Sequence, residues 1–193
     1  MAENQVTAGR RLIVIGGSSG SLDALLVMLP KLRPDFNIPI LLVLHRGVSA
    51  DNGLAELFAA NTSLHVKEAD EKDQLHAGWI YLAPPDYHVL LETDGSLSLD
   101  ASEKIHYSRP SIDVSLTSAV QVYQDNCIGV LLSGANADGA AAMNLIAVAG
   151  GVTIVQDPAS AIVSYMPEQA IAQSIIHHVL FPAAIADLLN TLV

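Results

Sequence analysis

Short apolar runs recur along this chain, and the first of them stops abruptly at a cluster of Gly and Ser. Arg11–Ile15, Pro39–Leu44 and Cys127–Leu132 are the purest of them. Apolar runs of about four to eight residues bounded by turn formers read as strands buried on both faces. Gly78–Leu82 and Gly151–Val155 add two more strands, and Leu64–Glu68 alternates before the charged turn Asp70–Asp73. Between these runs the spacing changes to that of helices. Ser21–Leu32, Ala50–Ala60, Pro110–Tyr123, the Ala-rich Asp138–Val148, Pro167–Ile176 and Pro182–Leu192 are the predicted helices. Pro110 stands near the start of its helix, where a missing N–H is tolerated. One stretch has a different texture. Tyr87–Glu92 and Ser96–Asp100 flank Thr93-Asp94-Gly95, and Asp-Gly between alternating runs predicts a hairpin.

Strands that alternate with helices imply an α/β fold. The expected form is a doubly wound, mostly parallel sheet in three α/β/α layers, with a small antiparallel β-hairpin attached. Residues 1–10 read as an N-terminal tail and residues 11–193 as a single domain. In such sheets ligands sit beyond the carboxyl ends of the strands, so the residues that follow each strand carry the functional question.

Three of those positions hold reactive groups. Ser18 follows the first strand within Gly16-Gly17-Ser18-Ser19-Gly20, a G-x-S-x-G spelling in a strand–turn–helix setting. A serine there lies at the positive end of a helix. His45 follows Ile40-Leu41-Leu42-Val43-Leu44, and Asp138 follows the Cys127–Leu132 strand. A hydroxyl nucleophile needs a base for its proton, and the base needs a carboxylate to fix its tautomer. The order Ser, His, Asp differs from the Ser, Asp, His order of the α/β-hydrolases. Each residue also has a plainer reading. The Gly-Ser turn can bind phosphate or merely turn the chain, His45 can be a packed histidine, and Asp138 can be a helix N-cap. The dinucleotide fingerprint G-x-G-x-x-G fails, because Ser18 stands where its second Gly belongs.

Composition narrows the classes. Hydrophobic residues make up 51% of the 193 and charged ones 15%, but no apolar run reaches the roughly 18 residues of a spanning helix. The first ten residues include Glu3 and Arg10 and lack the apolar core of a secretory signal. A formal net charge of −11 with nine Lys and Arg argues against nucleic acid and anionic membrane as partners, and without a long apolar run no membrane insertion is expected. The lone Cys127 excludes an internal disulfide and a Cys-based zinc site. It reads as a buried small hydrophobe in a cytoplasmic protein. His65, His76, His88, His106, His177 and His178 show no metal-ligand spacing, so no metal site is expected.

Six ordered segments carry a family resemblance: Ile15–Gly20, Leu44-His45-Arg46, Ala83–His88, Arg109-Pro110-Ser111-Ile112-Asp113, Leu132–Ala140 and Gln156–Ser160. In this order they resemble the catalytic domain of the CheB protein-glutamate methylesterases, over roughly residues 10 to 190. The resemblance implies a hydrolase that removes methyl groups from glutamate γ-methyl esters of chemoreceptors, releases methanol, and in some members deamidates receptor glutamines. It implies Ser18 as nucleophile, His45 as general base and acid, and Asp138 as the orienting carboxylate. Ser19, Gly134 and Ala135 would shape the site and its oxyanion region, and Arg46 and Arg109 would contact substrate. No cofactor is implied, and the implied partner is a methyl-accepting chemotaxis receptor or similar methylated protein. An esterase or amidase with another protein substrate, and a weakened binding module, are the alternatives. The weakened module is raised by Ala135 and Asn136, which stand where the family usually has Met and Gly; Ser19 stands where it usually has Thr. With about ten residues ahead of the first strand, no receiver domain is expected.

Overall fold

A computed structural model of the chain describes residues 10–46, 53–105 and 107–193. Its centre is a sheet of seven strands in which every neighbouring pair is parallel. These are β1 (Leu12–Gly17), β2 (Ile40–Leu44), β3 (His65–Glu68), β4 (Trp79–Leu82), β7 (Cys127–Leu131), β8 (Val152–Gln156) and β9 (His178–Leu180). Their order is β3-β4-β2-β1-β7-β8-β9. The chain winds outward from β1 in one direction and, after β7, in the other. The topological switch therefore lies between β1 and β7, where such sheets place their ligands. The separate hairpin joins β5 (His88–Leu91) to β6 (Leu97–Asp100), antiparallel as expected. Its loop closes with Gly95 at φ 81° and with Asp94 Oδ1 accepting from Ser96 N at 2.9 Å.

Successive residues of the central strands point to opposite faces, which splits the core in two. Leu12, Val14, Leu41 and Val43 face α3 (Ile112–Tyr123), α4 (Ala140–Val148), α5 (Tyr165–Gln173) and the hairpin. Ile13, Ile15, Leu42 and Leu44 face α1 (Ser21–Met28), α2 (Leu54–Ala59) and α6 (Pro182–Thr191). This is the expected three-layer arrangement, with each apolar strand covered on both sides. Cys127 is buried in it, and burial pushes its thiol up to about 12.

The departures from the sequence reading are local. β1 continues through Gly16 and Gly17, which pair with Val43 and Leu44, so the turn starts at Ser18. α1 stops at Met28 and passes into a 3-10 turn at Leu29–Lys31, where Pro30 cannot donate to an α-helical ladder. α5 begins at Tyr165, ahead of Pro167, which the first turn accommodates because its N–H has no intrahelical partner. The edge strand β9 has no counterpart in the sequence reading. Its three residues carry only Val179 and Leu180 as apolar members, too short a run to signal a strand. His177 ties the segment down: its Nδ1 accepts from Thr153 N at 3.1 Å. Part of the predicted helix at 50–60 lies outside the described residues, and α2 opens at Leu54.

Candidate active site

Parallel register brings the first two strand ends together. Gly17 pairs with Leu44, and His45 N donates to Gly17 O at 3.1 Å, so Ser18 and His45 leave adjacent strands side by side. On the other flank Ser18 N donates to Ser133 O at 2.9 Å, just beyond β7. The Ser18 carbonyl accepts from Ser21 N at 3.0 Å and from Ser21 Oγ at 2.7 Å. Gly20 caps α1 in the left-handed region, at φ 81°. A β-carbon there would also press on Ile162 and on Ser133 Oγ, so the turn after Ser18 needs glycine for both reasons.

Asp138 is fully buried and accepts four hydrogen bonds. Oδ2 accepts from His45 Nε2 at 2.8 Å and from Ile112 N at 2.7 Å. Oδ1 accepts from Ser111 Oγ at 2.9 Å and from Asp113 N at 3.0 Å. The carboxylate thus caps the N-terminus of α3, not the helix that follows it in sequence. Burial acts to raise its pKa, but the hydrogen bonds from His45 and from the N–H groups of Asp113 and Ile112 outweigh it, and the carboxyl lies below its ordinary value. A carboxylate with every acceptor position filled has no room for a proton. His45 Nε2 therefore carries hydrogen, and in the neutral ring the lone pair lies on Nδ1.

His45 Nδ1 faces a cavity of about 300 Å³ lined by His45, Arg46, Lys104, Tyr107, Ser108 and Arg109. Its hydrogen-bond partner there is Ser108 Oγ at 3.3 Å. Among the described residues no hydrogen bond joins Ser18 Oγ to His45. A larger cavity of about 650 Å³ opens beside Arg11, Pro39 and Leu192. It lies at the amino ends of β1 and β2, the wrong end of the sheet for these three residues.

The remaining predicted residues divide. Gly134 N donates to Val163 O at 3.0 Å, so this amide is not open to an oxyanion. The same holds for the amide of Ser18. Gly134 packs closely on α5: a β-carbon there would meet Met166 Sδ at 2.7 Å. Ser19 and Ala135 are exposed, and among the described residues their N–H groups have no acceptor. Asn136 fits its turn: it stands outside the left-handed region, and its Oδ1 accepts from Asp138 N at 3.2 Å.

Arg46 and Arg109 line the cavity, yet both guanidiniums have structural partners. Arg46 binds Glu68 and donates to Ala83 O at 3.0 Å. Arg109 meets Asp86 Oδ1 at 2.8 Å and the carbonyls of Ala101 and Ser102 at 2.6 and 2.5 Å. Sequence showed their charge but not Glu68 and Asp86, which reach them from other elements. Two contributors were missed altogether, Ser108 and the His88–Ser111 pair. His88 is buried, its Nδ1 accepts from Ser111 N at 3.0 Å, and Ser111 in turn supports Asp138. The only sequence signal for the pair was its place in two of the family segments.

The geometry can be set beside known proteins. The family model described as CheB methylesterase matches residues 13–189. The chain belongs to the CheB methylesterase family. A Leptospira interrogans protein (serogroup Icterohaemorrhagiae, serovar copenhageni) provisionally named protein-glutamate methylesterase/protein-glutamine glutaminase is 42% identical, over 91% of each chain. The protein-glutamate methylesterase FrzG of Myxococcus xanthus is 37% identical over 88% of this chain and 50% of its own length. The CheB methylesterase catalytic domain of Thermotoga maritima superposes with a TM-score of 0.91 at 31% identity, covering 96% of this chain and all of that one. The all-parallel seven-stranded sheet and its hairpin are thus the fold of the CheB catalytic domain. Among the described residues no helix is long and apolar enough to cross a membrane.

Proposed function

We propose that this chain is a serine esterase that hydrolyses glutamate γ-methyl esters on a methylated protein of the chemoreceptor kind, and that the same site deamidates glutamine side chains. The cytoplasm is its place of action. The observation that carries the reading is the fully hydrogen-bonded Asp138 carboxylate on His45 Nε2. It leaves one basic nitrogen, Nδ1, facing a cavity lined by His45 and Ser108, and His45 leaves the strand adjacent to the one that Ser18 follows.

In this mechanism Ser18 Oγ attacks the ester carbonyl while its proton passes to His45 Nδ1. The imidazolium is held by Asp138. The carbonyl oxygen becomes an oxyanion, and the N–H groups of Ser19 and Ala135 are its candidate donors, a term worth about 3–4 kcal/mol where single donors have been deleted. Collapse breaks the bond to the methoxy group, which leaves as methanol with the proton from Nδ1. Water then attacks the glutamyl ester of Ser18, gives its proton to the same nitrogen, and Ser18 recovers a proton as free glutamate forms. With a glutamine substrate the first leaving group is ammonia.

The decisive experiment compares methanol release from a methylated receptor by the wild type and by Ser18→Ala. Release by the wild type and only background release by the variant is the expected result. Equal rates would remove Ser18 from the chemistry. Hydrolysis of simple esters with no release from any receptor would move the substrate to another protein.

A further inference from the structure

Two hydroxyls need the same lone pair. Neutral His45 holds its hydrogen on Nε2 against Asp138, so Nδ1 offers one in-plane lone pair. Ser18 needs that lone pair for activation. Among the described residues Ser108 Oγ is the group at Nδ1, at 3.3 Å. That distance is long for a hydrogen bond, so the contact is weak and easily exchanged.

Ser108 is held by a tight turn. Ile105 N donates to Ser108 O at 3.1 Å, and Ser108 N donates to Ile105 O at 2.8 Å. Tyr107 sits in this turn with φ 62° and is 99% exposed. The next residue, Arg109, is fixed by Asp86 and two carbonyls. One end of the turn is therefore anchored, while the other reaches open solvent at the mouth of the cavity. Among the described residues the charged groups around the ring are Asp138 on Nε2, with Arg46, Arg109 and Lys104 on the cavity wall.

We propose that Ser108 is a positioning residue that parks His45 between turnovers: its hydroxyl donates to Nδ1 in the substrate-free protein and withdraws when a protein substrate fills the cavity, passing the lone pair to Ser18. No covalent bond changes in this exchange, and the proton stays on Ser108 Oγ. The inference rests on the assignment of Ser18 and His45 above. It adds a resting state in which the nucleophile is unactivated.

The test measures the rate at which a small fluorophosphonate labels the substrate-free protein, with the labelled residue located by mass spectrometry. Ser108→Ala is expected to label Ser18 about two- to tenfold faster than the wild type, the ratio set by losing one neutral hydrogen bond. Ser108→Thr and Ser108→Val have nearly the same shape and differ in the hydroxyl. Thr should restore the slow rate and Val should retain the fast one, which separates the hydroxyl from any effect of packing. Labelling of Ser18 at an unchanged or lower rate in the Ala and Val variants overturns the role of Ser108 and leaves Ser18 in place. Labelling of Ser108, or no label on Ser18 in the wild type, overturns both assignments.

Discussion

Asp138 and Asp113 cap each other's helices. Asp138, just ahead of α4, accepts from the N–H groups of Ile112 and Asp113 at the start of α3. Asp113, in the first turn of α3, accepts from Ala142 N at the start of α4 at 2.9 Å. The exchange fixes the two helix ends against one another and against the β1–β7 switch point. It also explains how a residue on the far side of β7 reaches His45 beyond β2.

The pair predicts an unusual acid response. Burial foremost, then the neighbouring Asp138 charge, raises the Asp113 carboxyl above its ordinary 3.8 in spite of the N–H groups of Ala142 and Gly139. Asp138 is held below 3.8. A raised acid binds its proton more readily in the folded state, so acidification toward 3.8 adds stability through Asp113. The contribution of Asp138 is present above 3.8 and is lost as pH falls through its folded value. Asp113→Asn keeps an acceptor for Ala142 N and removes the charge. We expect this variant to be more stable than the wild type at neutral pH, with the difference closing as pH falls below about 4. Urea unfolding midpoints across that range measure it. Equal or lower stability of the variant at neutral pH would mean that the Asp113 charge is fully compensated in the native state.

The candidate oxyanion donors can be separated by changing single backbone atoms. Replacing the Ala135 amide by an ester removes its N–H and leaves the side chain. A fall of about 10²–10³ in kcat with little change in KM is expected, as for other oxyanion donors. The same replacement at Gly134 removes the bond to Val163 O. It should lower stability by about 1 kcal/mol with a much smaller effect on rate. Comparable losses of kcat at both positions would point to a shift of the whole turn, not to a donor.

Much of this site was legible because its residues follow apolar strands, and strand ends are what an alternating pattern locates best. Ser18, His45 and Asp138 come from that logic, and the parallel register of Gly17 with Leu44 sets the first two side by side. What was not legible depends on contacts between distant segments. The carboxylate partners of Arg46 and Arg109 are Glu68 and Asp86, so residues expected to touch substrate are structural clamps as well. Asp138 read equally well as the cap of its own helix, and only the packing of α3 shows which helix it caps. Ser108 belongs to no spacing pattern, since its turn is defined by two backbone hydrogen bonds and not by residue type.

Gly16 permits the close approach of α3. A β-carbon there would collide with Ile112 Cγ2 and come within 3.1 Å of Leu131 Cδ1. Ile112 is also a donor to Asp138. Gly16→Ala should cost about 1–3 kcal/mol through overpacking, and it should lower kcat as the α3 terminus moves from the carboxylate. Calorimetry and ester hydrolysis on the same sample test the link. A loss of stability with full activity would show that the Ile112–Asp138 contact tolerates the shift.

Tyr107 carries the last prediction. It lines the cavity at His45, is almost wholly exposed, and occupies a backbone conformation that favours glycine. Among the described residues no contact accounts for an aromatic side chain there. A protein substrate laid across the cavity mouth would bury the ring, whereas a small ester would not reach it. Tyr107→Gly should therefore leave stability unchanged or raise it by about 0.5–1 kcal/mol, because glycine relieves the positive φ. It should leave kcat/KM for a small methyl ester near the wild-type value and raise KM for methylated protein severalfold. Parallel assays on the two substrates decide the matter. An equal loss on both would place Tyr107 in support of His45, and no loss on either would leave the ring without a part in recognition.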